Sequence, residues 1–164
     1  MSFQKRRCIS AWEVFTMSVQ QQMERALRES ARMAAEDLAG TINGWMPPRF
    51  ESCDADTRTY ICSFAMRKEY ANPGGNLHGG LVAVVFDTAI GHLARFYCDH
   101  MTPTVSLSIS YLRPLPVDQP LFVRVHMDKP GSTVDYITAE LYTAGAPEKI
   151  LATASGVYLS LSKE

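Results

Sequence analysis

The run LVAVVFDTAIGHLARFYC, Leu81 to Cys98, restricts the fold more than any other part of the chain. On a helix, Leu81, Val82, Val84, Val85, Phe86, Ile90, Leu93 and Phe96 lie on every side, and a helix that is apolar all round has to be enclosed. Its surroundings read as strands. A hairpin spans about residues 50–68 with DADTR as its turn, and four strands follow near 103–112, 120–128, 133–143 and 149–161. DKPGS and AGAPEK supply the last two turns. A curved antiparallel sheet wrapped around one long central helix lets every strand turn its dry face inward, so an α+β architecture is expected. With 164 residues, 46% of them hydrophobic and 20% charged, the chain can bury one such core without staples.

Before the strands, residues 10–40 read as a helix. Ser10 with Glu13 and Ser18 with Gln21 have capping-box spacing, and Val19, Met23, Leu27, Ala31, Ala34 and Leu38 recur at three or four. Gly40 and Gly44 are expected to end it, and the two prolines of NGWMPPRF to lead into a strand. The chain thus divides into an N-terminal helical extension, 1–47, and a main domain, 48–164. In TVSLSISYL the alternation predicts a dry face of Val105, Leu107, Ile109 and Tyr111 and a polar face of Thr104, Ser106, Ser108 and Ser110.

Several classes of partner are not expected. A net charge of −1 provides no global basic field for nucleic acid or an anionic membrane. Asp87, His92 and Arg95 make the long apolar run too polar for a membrane span. Cys8, Cys53, Cys62 and Cys98 lack C-x-x-C spacing and the four histidines are scattered, so neither a metal site nor a disulfide framework is expected. The N-terminus begins basic, but Glu13 interrupts its apolar stretch and no small-residue cleavage site follows. A reducing cytoplasm fits these features.

Two features suggest chemistry. Asp87 falls in the middle of the apolar helix, where a carboxylate costs several kcal/mol unless it is paired or faces a polar cleft as a base or nucleophile; a structural aspartate bonded to Thr88 and a facing strand is the bland alternative. GGNLHGG precedes the helix, where glycines let a ligand reach backbone N–H groups and the helix dipole favours a developing negative oxygen. His78 reads as a support for that turn. Nine residues separate His78 from Asp87, about 13 Å of helical rise and about half a turn, so one chain cannot easily bring both to one atom. Two chains about a two-fold axis can.

NPGGNLHGG, an aspartate nine places after its histidine, and TVSLSISYLRP together resemble the hotdog-fold acyl-CoA thioesterases of the phenylacetate-degradation (PaaI) type, over about residues 48–161. The resemblance implies a homodimer with thioester sites at its interface, with a pairing of dimers into tetramers frequent in such proteins. It implies catalytic roles for Asn72 and the Gly79 N–H at the carbonyl, Asp87 in activating water, and Thr104 in placing that water or carboxylate, with His78 in support. Gly80 and Arg113 are implied as substrate contacts, and Lys129 and Arg124 as further cations near the coenzyme tail. Coenzyme A would be part of the substrate, and no cofactor is implied. The acyl group, small, medium or aryl, depends on which of Phe96, Met101 and Tyr111 closes the cavity. A hotdog hydratase or dehydratase using His78 as base ranks second, since LHGG has no proline after the histidine; a non-catalytic acyl-CoA binder ranks third.

Overall fold

A computed structural model of the chain describes residues 17–98 and 102–160. Helix α1, Val19–Glu36, opens with the expected capping box: the Ser18 hydroxyl accepts the Gln21 N–H at 3.2 Å, and the Gln21 side chain accepts the Ser18 N–H at 2.9 Å. The Ser10–Glu13 pair lies outside the described residues. The helix ends at Asp37, before either glycine. Gly44 instead falls inside a short helix α2, Ile42–Trp45, where a Cβ would stand 2.3 Å from the Leu38 carbonyl oxygen. The chain doubles back there so tightly that only glycine fits.

Strands β1, Pro48–Asp54, and β2, Thr59–Phe64, form the first hairpin. Asp54 shapes its turn by accepting the N–H groups of Asp56 and Thr57, and Arg58 adopts a left-handed φ of 54°. Helix α3, Gly79–Cys98, then precedes β3, Thr104–Tyr111, β4, Leu121–Lys129, β5, Val134–Thr143, and β6, Ala152–Leu159. The six strands form one sheet in the order β1-β2-β4-β5-β6-β3, antiparallel at every pairing. Its inner face presents Val123, Val125, Ile137, Ala139 and Leu141 to Val82, Val85, Phe86, Ile90 and Leu93 of α3. The helix is long and apolar enough to cross a membrane by length and composition, but here it is the core element of a sheet.

The α1 helix belongs to the same core. Met23 and Leu27 are 0% exposed and pack among the side chains that line α3 and the sheet. Gln20 clamps the hairpin, donating to the Cys53 carbonyl at 2.9 Å and accepting the Ala55 N–H at 2.8 Å, while the Arg28 guanidinium lies 4.1 Å over the Phe50 ring. One sheet edge is therefore flanked by α1. The other edge, β3, pairs only with β6.

Two sequence expectations change here. The sheet does not enclose α3 on every side: Leu81 and Val84 are half-buried and Asp87 is exposed, because the sheet ends at β3. Nor is β3 strictly alternating. Its register with β6 runs Thr104↔Tyr158 and then Ser106↔Val157, so Val105 is an extra, bulged residue and is 59% exposed. The bulge turns Thr104 to the helix side, away from the outer polar face of Ser106, Ser108 and Ser110.

Two stability tests follow from this packing. Leu27→Ala should cost about 2–5 kcal/mol in denaturant unfolding, because the cavity opens inside the shared core. Burial, with Arg95 second, lowers the pKa of His92 from 6.5 to about 4. The unfolded chain therefore binds the proton first, so this contribution to stability is complete above about pH 6.5 and is lost as the pH falls toward 4. Unfolding free energies measured across that window should slope downward, and less steeply in His92→Asn.

Candidate active site

Asp87 projects from the middle of α3 toward β3, and two hydroxyls meet it. Thr104 Oγ1 donates to Asp87 Oδ1 at 2.7 Å, and Tyr158 OH donates to the same oxygen at 2.8 Å while lying 3.3 Å from the Asp87 main-chain carbonyl. Thr104 comes from the open edge, Tyr158 from the interior, where it is 1% exposed. Burial, and then the neighbouring carboxylate, push the Tyr158 pKa far upward, so the phenol keeps its proton and can only donate to Asp87. Of the two structural bonds expected for this aspartate, the one to a facing strand is present; Thr88 instead bonds Asn43 Oδ1 of α2 at 3.2 Å.

The glycine loop is organised by Asn72. Its Oδ1 accepts the N–H groups of Gly74 at 2.9 Å and Asn76 at 3.2 Å, and its main chain bonds Asn76 and Gly75. Two backbone donors on one side-chain atom fix that atom as the oxygen, which leaves Nδ2 as a donor without an acceptor among the described residues. Gly75 completes the turn with a φ of 77°. His78 donates its N–H to the Tyr70 carbonyl, and its Nδ1 accepts the Gly80 N–H at 3.1 Å. The ring proton is therefore on Nε2. Leu81 and Val82 donate to the His78 carbonyl, while the Gly79 N–H meets no acceptor among the described residues. It is an open donor at the positive end of a 20-residue helix.

Strand β3 touches α3 at two points. Thr104 meets Asp87 at one end, and Tyr111 OH donates to the Gly79 carbonyl at 2.9 Å at the other. Eight helical residues separate Gly79 from Asp87, about 12 Å of rise, so one chain holds the donors and the carboxylate apart.

The remaining candidates divide. Arg113 sits just past β3, its guanidinium donating to the Ile150 carbonyl, near the Tyr111 end of the strand. Arg124 is on the outer face of the sheet, paired with its register partner Glu140 at 2.9 Å and lying 5.0 Å over the Tyr142 ring. Lys129 is exposed at the end of β4, opposite Tyr136. Phe96 packs edge-on to Tyr97, nine residues along α3 from Asp87, and Met101 lies outside the described residues. Sequence reasoning missed Tyr158. The signal was present: Ala152, Ala154 and Gly156 alternate with small polar or apolar residues, so one inner face is kept small until it ends on a tyrosine.

A curved antiparallel sheet around one helix, with a carboxylate on that helix and glycine amides at its start, defines a hotdog-fold protein. Residues 74–149 match the profile of the Thioesterase superfamily. Human acyl-coenzyme A thioesterase 13 is 31% identical over 94 residues, 56% of this chain and 66% of that protein, so the chain spans just under two thirds of that relative's length. The Escherichia coli PaaI protein of the phenylacetic acid degradation operon superposes with a TM-score of 0.72 at 15% identity, covering 88% of this chain and 97% of PaaI. A Streptococcus mutans protein solved with acetyl-CoA superposes at 0.63 with 17% identity, covering 71% of this chain and 90% of its own.

The dual use of Asn72 is separable. Asn72→Ala removes the acceptor of two loop amides, whereas Asn72→Asp retains it and removes only the Nδ2 donor. Hydrogen exchange at Gly74 and Asn76 should accelerate in the alanine variant and stay close to wild type in the aspartate variant.

Proposed function

We propose that the chain is an acyl-CoA thioesterase acting as a homodimer, with Asp87 activating water against a thioester carbonyl held by the Gly79 N–H and Asn72 Nδ2. The observation that carries this reading is the placement of an exposed carboxylate and an open amide donor at opposite ends of the edge strand β3, whose outer side is unpaired. Antiparallel pairing of two β3 edges about a two-fold axis would set the Thr104 end of one strand beside the Tyr111 end of the other. Each Asp87 would then face the partner subunit's glycine loop, and the separation of about 12 Å within one chain ceases to matter.

In that arrangement Asp87 takes a proton from water as the water oxygen attacks the carbonyl carbon. The oxygen that becomes negative lies against the Gly79 N–H, the helix terminus and Asn72 Nδ2. Collapse breaks the carbon–sulfur bond and expels coenzyme A as a thiolate, which leaves with little acid assistance and then takes up a proton. Arg113 is the cation best placed for the coenzyme's phosphates, and Gly80 lines the approach. The likeness to acyl-coenzyme A thioesterase 13 and the acetyl-CoA in the Streptococcus mutans structure support the substrate class. The reading needs no resident cofactor. The free thiols of Cys53, Cys62 and Cys98 suit a cytoplasmic protein.

His78 argues against the hydratase alternative. A base needs a free lone pair facing substrate, yet Nδ1 is occupied by the Gly80 N–H and the ring proton resides on Nε2. Its role is to hold the turn.

Thiol release should therefore accompany turnover of saturated acyl-CoA substrates. Asp87→Asn should lower kcat by about 100-fold or more without unfolding the protein, and near-normal turnover in a folded variant would refute the role. Mixed and reassembled Asn72→Asp and Asp87→Asn chains should recover about 25% of wild-type activity, because about half the dimers are hybrids and each has one intact site of two. Subunit exchange verified by mass without recovery would exclude a shared site.

A further inference from the structure

Asp87 has two carboxylate oxygens, and the chain treats them differently. Thr104 and Tyr158 both donate to Oδ1, and no described residue donates to Oδ2. We infer that Tyr158 is a positioning residue for Asp87: its hydroxyl anchors Oδ1 from inside the core, so that Oδ2 is always the oxygen presented to the water. This inference rests on the thioesterase reading and goes beyond it by giving the two oxygens separate tasks.

Three observations support it. The Tyr158 hydroxyl reaches both the side chain and the main-chain carbonyl of Asp87, so it ties the carboxylate to the helix at a fixed angle. Two donors on one oxygen oppose rotation of the carboxylate plane, which otherwise interchanges Oδ1 and Oδ2. The ring itself occupies space left open for it, since a Cβ on Gly156 would stand 2.7 Å from Tyr158 Cε2, and one on Gly91 would stand 3.9 Å from Cε1. A tyrosine laid across glycines on both strand and helix can reach the carboxylate; a tyrosine pushed off Gly156 cannot.

The two donors are not equivalent. Thr104 stands on the outer side of Asp87, next to the cleft that must admit the attacking water, so water can replace a lost hydroxyl. Tyr158 is buried, and the gap left by its oxygen is too confined for an easy substitute. Loss of the phenol oxygen should accordingly hurt turnover more than loss of the threonine hydroxyl, although Thr104 makes the shorter bond.

The test uses the full chain and whichever of acetyl-, hexanoyl- and phenylacetyl-CoA the wild type hydrolyses fastest. Tyr158→Phe keeps the ring and removes only the oxygen. It should lower kcat about 10-fold, with KM within about twofold and a melting temperature close to wild type. Thr104→Val should lower kcat less, by about threefold. Gly156→Ala should lower kcat by displacing the ring, and adding it to Tyr158→Phe should cause little further loss, because both act through one hydrogen bond. Full kcat in Tyr158→Phe, a loss that appears only in KM, or a purely additive double variant would overturn the role of Tyr158. Should Tyr158→Phe prove unstable, Gly156→Ala alone decides: wild-type kcat there also overturns it. A wild type that releases thiol from none of the three substrates overturns the thioesterase reading itself, and the role of Tyr158 falls with it.

Discussion

The whole arrangement depends on a helix that is too apolar for water and too polar along one line to be sealed. Val82, Val85, Phe86, Ile90 and Leu93 require an enclosing sheet, while Gly80 and Asp87, seven residues apart and so two turns along nearly one line, are exposed. A sheet that stops at β3 satisfies both demands. It buries most of the helix and leaves uncovered the line on which a carboxylate is useful. The unpaired edge is thus a consequence of how α3 is composed, and the same gap that leaves Asp87 accessible leaves the outer side of β3 without a neighbouring strand among the described residues.

Much of this was legible in the sequence. Strand alternation, turn chemistry and the Ser18 capping box are local signals, and the elements they mark are present. Asp87 was conspicuous for a reason that proved incomplete: periodicity identifies a helix that needs cover but not where the cover ends, so an exposed carboxylate looked buried. Thr104 was harder still. Strict alternation assigned it to the outer face, and only the extra residue at Val105 shifts its parity. Arg124 shows a different limit, since its pairing with Glu140 depends on the β4–β5 register, which no single strand encodes.

The loop and the helix also divide labour in a way residue types alone do not express. Asn72 spends its oxygen on the loop and keeps its nitrogen, and His78 spends Nδ1 on Gly80. Polar side chains that look like candidates for chemistry are here partly consumed in holding backbone, and this consumption fixes what remains available. An asparagine whose acceptor is satisfied is purely a donor; a histidine whose lone pair is engaged is no base.

Gly156 and Tyr158 lie two residues apart on the same face of β6, and the ring of one fills the place where the other has no side chain. They therefore draw on a single volume. A side chain rooted at 156 and a large ring rooted at 158 are mutually exclusive tenants of it, so divergence at these positions must proceed in step. The support beneath Asp87 could in principle be rebuilt from either address on the strand, but never from both at once, and a change at one that ignores the other would leave the carboxylate with a crowded neighbour or none.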